Sequence, residues 1–326
     1  MLRTRKLPYL TFVAALLFAP LSSGLYAQVK NGQGNAITQD LYLSVQFQDI
    51  PKITEWISKG ADVNTVENGR PLLGWAAQNG NPEVVELLLK AGANPNISDS
   101  DDLKQTPLMR AVETQKLNIV QLLLNYKANP NAEDSYGVTA LTMAIQSSRT
   151  DIVEALAAGG ADVKKVSPDG ESAILTAVQT SMPEAAEKVK ILAKAGAPLN
   201  VSNSSYTPLV YAVQKDNKEL VQALLDAGAD PDAKTSSDQA PIQSAAYNPE
   251  IMEILLKAKA NPNTENYGGQ SMLFEAIQNN RPDIAKLLIQ AGADINKPDY
   301  SGTSPADMAD RYGLTEIADI IRSKAQ

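Results

Sequence analysis

A catalytic or metal-binding protein needs side chains that can move a proton, attack a carbon or hold an ion, and this chain lacks most of them. Its 326 residues include no Cys and no His. That removes disulfides, thiolate nucleophiles, zinc sites of the usual ligand set and every Ser-His-Asp or Cys-His arrangement. Carboxylates remain, 37 of them. Asp99, Asp101 and Asp102 crowd one short stretch, SDSDDLK, and could be imagined around calcium. The full D-x-[DN]-x-[DN]-G loop is missing, however, so the stretch reads as a solvated acidic tip. Carboxylate pairs for glycoside chemistry can be found in any chain this rich in acid, and no pair stands out. The sequence therefore reads as non-enzymatic, with no cofactor and no metal. What is left is shape, and a sparse set of aromatics that make up 5% of the residues.

The elements that position those aromatics are copied. A Gly-Ala or Lys-Ala pair recurs with its Ala at positions 61, 93, 128, 161, 197, 229, 260 and 293, at intervals of 31 to 36 residues. Between the pairs lie TPLMRAV (from Thr106), VTALTMAI (Val138), SAILTAV (Ser172), TPLVYAV (Thr207), APIQSAA (Ala240), SMLFEAI (Ser271) and SPADMAD (Ser304). Each is followed by a run such as NPEVVELLLKAGANPN from Asn81. Thr106 and Thr207 are placed to cap a first helix, with Pro107 and Pro208 in its first turn. Asn81-Pro82-Glu83 and Asn248-Pro249-Glu250 do the same for a second helix. Gly92, Gly160, Gly196, Gly228 and Gly292 would end that helix in a left-handed turn.

This pattern resembles the ankyrin repeat over residues 39–326. The resemblance implies an all-α ankyrin-repeat solenoid of about eight to nine helix-turn-helix units with short finger loops, binding proteins through a concave face. On that template Tyr136, Tyr206, Tyr267 and Tyr300 fall in fingers, while Trp75, Arg110 and Tyr211 fall on first helices. These seven are the candidate protein-binding residues, because interfaces favour Tyr, Trp and Arg. For each, covering the neighbouring repeat is the competing role. Gln78, Gln146, Gln179, Gln214 and Gln278 share one repeat position, as a hydrogen-bonded ladder or a ligand-reading row.

Departures from the pattern mark expected irregularities. The family's His after T-P-L is replaced by Gly74, Met109, Thr142, Leu175, Val210, Gln243, Phe274 and Asp307, so its network between turns is expected to be absent. Repeat 3 carries two extra finger residues. Repeat 5 carries three extra around QTSMPEAAEK, which places Glu187 and Lys188 in an inserted inter-helix loop. Repeat 7 is two residues short near AAYNPE. DLYLSVQFQDIPKITEWISKGADVN and RYGLTEIADIIRSKAQ are expected to cap the two ends.

Residues 1–27 read as a signal peptide: Arg3, Arg5 and Lys6, then a 15-residue apolar run too short to span a bilayer, then SSGLYA before Gln28. Residues 28–38 read as a flexible leader. Cleavage after Ala27 leaves 26 of the 29 basic residues against 37 acidic ones, a net charge of −11. Such a chain has no basic face for nucleic acid. The sequence expectation is a monomeric periplasmic (or secreted) scaffold, not inserted in the membrane after cleavage, that binds a protein of the cell envelope. An immunity or inhibitor protein that neutralises a toxin or enzyme there is the competing expectation.

Overall fold

The computed structural model describes residues 36–325, apart from 148, 168–169, 181–183, 204 and 267. The expected signal peptide, the leader up to residue 35 and candidate Tyr267 lie outside the described residues. Among those described, nine helical pairs follow one another. The first helices are α1 (Ala36–Gln46), α3 (Leu72–Asn79), α5 (Pro107–Glu113), α7 (Ala140–Gln146), α9 (Ala173–Val178), α11 (Pro208–Gln214), α13 (Pro241–Ser244), α15 (Met272–Gln278) and α17 (Pro305–Arg311). The second helices are α2 (Ile50–Ser58), α4 (Pro82–Lys90), α6 (Leu117–Asn125), α8 (Thr150–Ala158), α10 (Glu184–Lys194), α12 (Lys218–Asp226), α14 (Pro249–Lys257), α16 (Pro282–Gln290) and α18 (Thr315–Lys324). Helix α1 thus includes residues 36–38.

The caps form where the letters place them. Thr106 and Thr207 accept hydrogen bonds from the third helical N–H, at 3.3 and 3.2 Å, and Asn81 and Asn248 accept at their own helix starts at 3.0 Å. The Gly after each second helix has a φ between 90° and 96° at positions 92, 160, 196, 228 and 292. Lys127 and Lys259 hold the same left-handed conformation, at 66° and 71°, despite carrying a Cβ.

No single pair can bury its apolar face, so each stacks on its neighbours, first helix against first helix and second against second. One residue in each first helix from α3 to α15 forms a buried column: Leu73, Leu108, Leu141, Ile174, Leu209, Ile242 and Leu273. Val85, Val120, Val153, Val189, Val221 and Met252 form another along the second helices. Fingers project between units, and β1 (Val66–Glu67) pairs with β2 (Arg70–Pro71) antiparallel in the first of them. The bridges Glu133 to Thr139, Val166 to Ser172 and Glu265 to Ser271 repeat that pairing further along.

The expected irregularities take specific forms. Helix α13 has four residues and makes a single turn. The extra residues of repeat 5 lengthen α10 to eleven residues, so Glu187 and Lys188 are helical and not in a loop. Lys188 is 2% exposed. Its Nζ donates to the carbonyl of Ser147 in the preceding unit at 2.6 Å.

Candidate protein-interaction face

The first helices and the fingers share one face. Each finger opens with a residue whose N–H bonds a carbonyl further along: Asp134 to Val138, Ser167 to Glu171, Thr235 to Gln239, Asn266 to Gln270 and Asp299 to Thr303, all four residues apart. In the finger of repeat 3 the bond runs from Asp99 to Gln105, six residues apart, and in that of repeat 6 from Asn203 to Tyr206, three apart. In the regular fingers the opening side chain also caps the turn, as Asp134 Oδ1 does for the N–H groups of Tyr136 and Val138 at 2.8 and 2.9 Å. The two extra residues hand that task to Asp101, which accepts from Leu103 and Lys104.

Asp99 is thereby free for another role. It is 1% exposed and takes hydrogen bonds from Arg110 Nε at 3.0 Å, Arg110 Nη2 at 2.5 Å and Arg70 Nε at 3.2 Å. Two expectations are corrected here: the acidic tip is not solvated at Asp99, and Arg110, 5% exposed, is not a surface contact. Burial works against the Arg110 charge, but the hydrogen bond and charge of Asp99, helped by Glu113, outweigh it and raise its pKa above the ordinary guanidinium value. Gly74 permits the approach, since a Cβ there would lie 3.0 Å from the Arg70 stem and 3.4 Å from Asp99 Oδ1. Arg70 also reaches Gln78 and lies 4.3 Å over the Trp75 ring. Trp75 is half-buried, with Nε1 donating to the Glu67 carbonyl at 3.1 Å and Tyr42 meeting it edge-on at 6.1 Å. Trp75 and Arg110 thus belong to one ion-pair and ring cluster that locks units one to three together.

A second cluster joins two other candidates. The Tyr206 and Tyr211 rings lie 4.9 Å apart, tilted by 53°, and Gln179 Nε2 donates to the Tyr206 hydroxyl at 2.8 Å. Lys215 sits 5.5 Å over Tyr211. Burial, the largest influence, raises the Tyr206 pKa and keeps the phenol neutral. Tyr136 and Tyr300 stand apart, 73% and 79% exposed. The Tyr300 hydroxyl still bonds the Gly268 carbonyl of the adjacent finger. The glutamine row is no ladder, for Gln78, Gln179 and Gln214 bond Arg70, Tyr206 and Gln239 and not one another.

Residues matched by the ankyrin-repeat family description, "Ankyrin repeats (3 copies)", run over 41–134, 73–167, 141–235 and 230–299, so the matches together span 41–299. The chain belongs to the ankyrin-repeat family. Among relatives of this ankyrin chain, the ankyrin repeat protein nuc-2 of Neurospora crassa is 30% identical over 209 residues, 62% of this chain and 19% of that protein. A putative palmitoyltransferase, ZDHHC13, of Danio rerio is 28% identical over 68% of this chain and 34% of that protein. Protein PhlB of Serratia liquefaciens is 37% identical over 111 residues, 33% of this chain and 48% of PhlB. The ankyrin chain therefore spans less than two thirds of these proteins. The solved ankyrin repeat domain of Bcl-3 superposes with a TM-score of 0.58 at 26% identity, covering 66% of this chain and 97% of that one. An ankyrin repeat domain from Acinetobacter baumannii gives 0.54 at 27%, covering 58% and 98%. Ankyrin repeats are typically non-catalytic interaction modules, and they indicate a protein-protein interaction scaffold here.

The expected loss of the ankyrin His network is only partial. Gln243, at the His position, accepts from the Ala240 N–H at 2.6 Å and donates to the Glu265 carbonyl of the next finger at 2.5 Å. Sequence reasoning also missed Tyr247, Phe47 and Tyr312, which are exposed in the turns between helices of units seven, one and nine. Their signal was their place just after a first helix. It missed the openings between units as well: a polar cleft of about 550 Å³ beside Lys234, Asp238 and Glu265, and a groove of about 200 Å³ between α5 and α7. Among the described residues, no group of three or more acids could hold a metal ion, and no helix is long and apolar enough to cross a membrane.

Proposed function

We propose that this ankyrin chain is an exported, monomeric scaffold that binds a protein of the cell envelope, in the periplasm, through the face made by its fingers and first helices. The observation that carries this reading is the line of tyrosines along that face, from Tyr136 through the Tyr206 and Tyr211 pair to Tyr300. Tyr and Trp supply large amphipathic contacts at low entropic cost, which is why a few of them dominate binding energy. The leader at residues 1–27, with its basic, apolar and small-residue segments, supports export.

The test is recovery of partners from envelope extract with residues 28–326 as bait, followed by titration calorimetry. Tyr136→Ala should weaken the complex by about 2 kcal/mol or more while moving stability by under about 0.5 kcal/mol, since the side chain is exposed. An undiminished affinity in that variant and in Tyr206→Ala would refute binding through this face. Inhibition of a recovered enzyme on adding the scaffold would instead assign it the blocking role.

A further inference from the structure

The glutamines that close the first helices spend little of their hydrogen-bonding capacity inside the protein. Gln146 and Gln214 are the last residues of α7 and α11, and Gln179 caps α9, so the three hold one position on successive units and all are exposed. An amide offers two N–H donors and an oxygen with two lone pairs. Gln146 uses none of these among the described residues. Gln179 gives one N–H to the Tyr206 hydroxyl, and Gln214 gives one to Gln239 Oε1 at 3.4 Å, which leaves both amide oxygens open to a donor. Tyr206 and Tyr211 stand directly beside this row. The same stretch is uncharged: α7, α9, α11 and α13 contain no charged residue, whereas α5 ends in Glu113 and α15 holds Glu275. Neighbouring charges are engaged elsewhere, Lys165 with Glu133 and Lys215 over the Tyr211 ring.

We infer that units four to six take an uncharged, proline-rich segment of the partner in the polyproline II conformation, whose main chain bonds the glutamine amides and whose proline rings pack on Tyr206 and Tyr211. The inference rests on the proposed binding face and names the chemistry of the segment it receives. Charge complementarity excludes a charged segment, which would lose its hydration here without gaining an opposite charge. Spacing selects the conformation. Packed helices lie roughly 8–10 Å apart, so the amides recur at that step along the face. A polyproline II segment has three residues per turn and advances about 9 Å in that turn, so residues three apart present one side to successive glutamines. A β-strand would turn such residues to opposite faces. An α-helix bonds its own backbone groups and would leave the amides without main-chain partners. Polyproline II has no internal hydrogen bonds, so its carbonyls remain free to accept from the amide N–H groups, and aromatic walls suit its rings.

The probe is a library of random twelve-residue peptides displayed on phage and selected on residues 28–326, with the recovered peptides titrated against variants. The selected peptides should be uncharged over their central residues and carry prolines three positions apart. Gln146→Ala should weaken them about fivefold while leaving the melting midpoint unchanged, because that amide has no partner inside the protein. Gln146→Glu, which turns a carboxylate towards the peptide carbonyls, should weaken them about tenfold or more. Gln278→Ala, beyond the uncharged stretch, should leave them unaffected. A selection that enriches no proline-spaced sequence would overturn the inference, as would peptides with apolar residues four apart, which mark a helix, or peptides indifferent to both changes at Gln146. A partner recovered from envelope extract that is lost in Tyr136→Ala but binds Gln146→Glu undiminished would leave the face standing and remove the row. Indifference of that partner to Gln146→Glu, Tyr136→Ala and Tyr206→Ala alike would remove both.

Discussion

At the scale of single residues, charge placement in the interior decides most of what a substitution does. Asp99 pairs with Arg110 and Arg70 at once, with Glu113 as a second partner of Arg110, which is only 5% exposed. Asp99→Ala should cost about 3–5 kcal/mol of unfolding free energy, measured by urea denaturation, because it leaves a buried guanidinium without its main partner. For the same reason, an affinity lost in Arg110→Ala reports a disturbed scaffold rather than a missing contact. Lys188 is the second such residue, and it separates from its neighbour Glu187. Lys188→Ala removes a buried stem and the donor to the Ser147 carbonyl, and should destabilise by about 2 kcal/mol or more. Glu187→Ala, with its side chain 57% exposed, should stay within about 0.5 kcal/mol. Burial is the largest influence on Lys188 and lowers its pKa, with Glu184 opposing. The folded state then binds fewer protons than the unfolded one just below the ordinary lysine value of about 10.4, so this group makes stability rise with pH across that interval. The penalty is fully present at neutral pH. In Lys188→Met the rise should disappear, which the difference between wild-type and variant urea midpoints from pH 8 to 10.5 measures directly.

At the scale of elements, the turns after the second helices are tied by a row of side-chain acceptors. Asn64 accepts from the Asn94 N–H, Asn96 from Asn129, Asn131 from Asp162, Asn200 from Asp230, Asp232 from Asn261 and Asn263 from Asp294, at 2.6 to 2.9 Å. One rung is missing by covalent structure: Lys164 stands where the acceptor belongs, and Pro198 has no N–H to give. Lys164→Asn with Pro198→Asp should restore it. Each single change should be close to neutral, and the pair should show a coupling of about 0.5–1.5 kcal/mol in a double-mutant cycle. Additive singles would mean that the turns here are held apart. The repeat period, the caps and the left-handed turns were legible because each is set within a few residues by spacing, Pro placement and Gly. The fate of inserted residues was not. Three extra letters around QTSMPEAAEK read as a loop by repeat length alone, yet Ala185, Val189 and Leu192 continue a buried stripe, so the chain extends α10 instead. In the finger of repeat 3 two extra residues moved a capping carboxylate and buried Asp99, an exchange that depends on Arg70 from the preceding unit. The scarcity of aromatics is legible from composition, but what separates exposed Tyr136 from half-buried Trp75 is contacts such as that with Tyr42, 33 positions earlier in sequence.

At the scale of the whole molecule, stability in a stack of this kind is close to a sum of unit terms and nearest-neighbour interfaces, so the weakest unit sets where the chain first opens. Unit seven is that place. Helix α13 spans four residues, and its N–H bonds from Gln243 to Ala240 and Ala245 to Ile242 close three-residue turns with poorer geometry than α-helical ones. The first helices on either side, α11 and α15, have seven residues each. What holds unit seven is reached from outside: Gln243 bonds forward to Glu265, and Arg281 Nη1 donates back to the Tyr247 carbonyl at 2.8 Å. This soft unit lies between the Tyr206 and Tyr211 cluster and Tyr300, so a partner that touches both must fix the angle between them. Native-state hydrogen exchange should therefore show residues 241–248 exchanging faster than 208–214 and 272–278. Arg281→Ala should accelerate exchange at 241–248 more than at 107–113, because it removes a clamp on one unit and leaves the distant stack intact. Equal protection across these segments, in wild type and variant alike, would show that the nine units open as one and that the short helix imposes no local weakness.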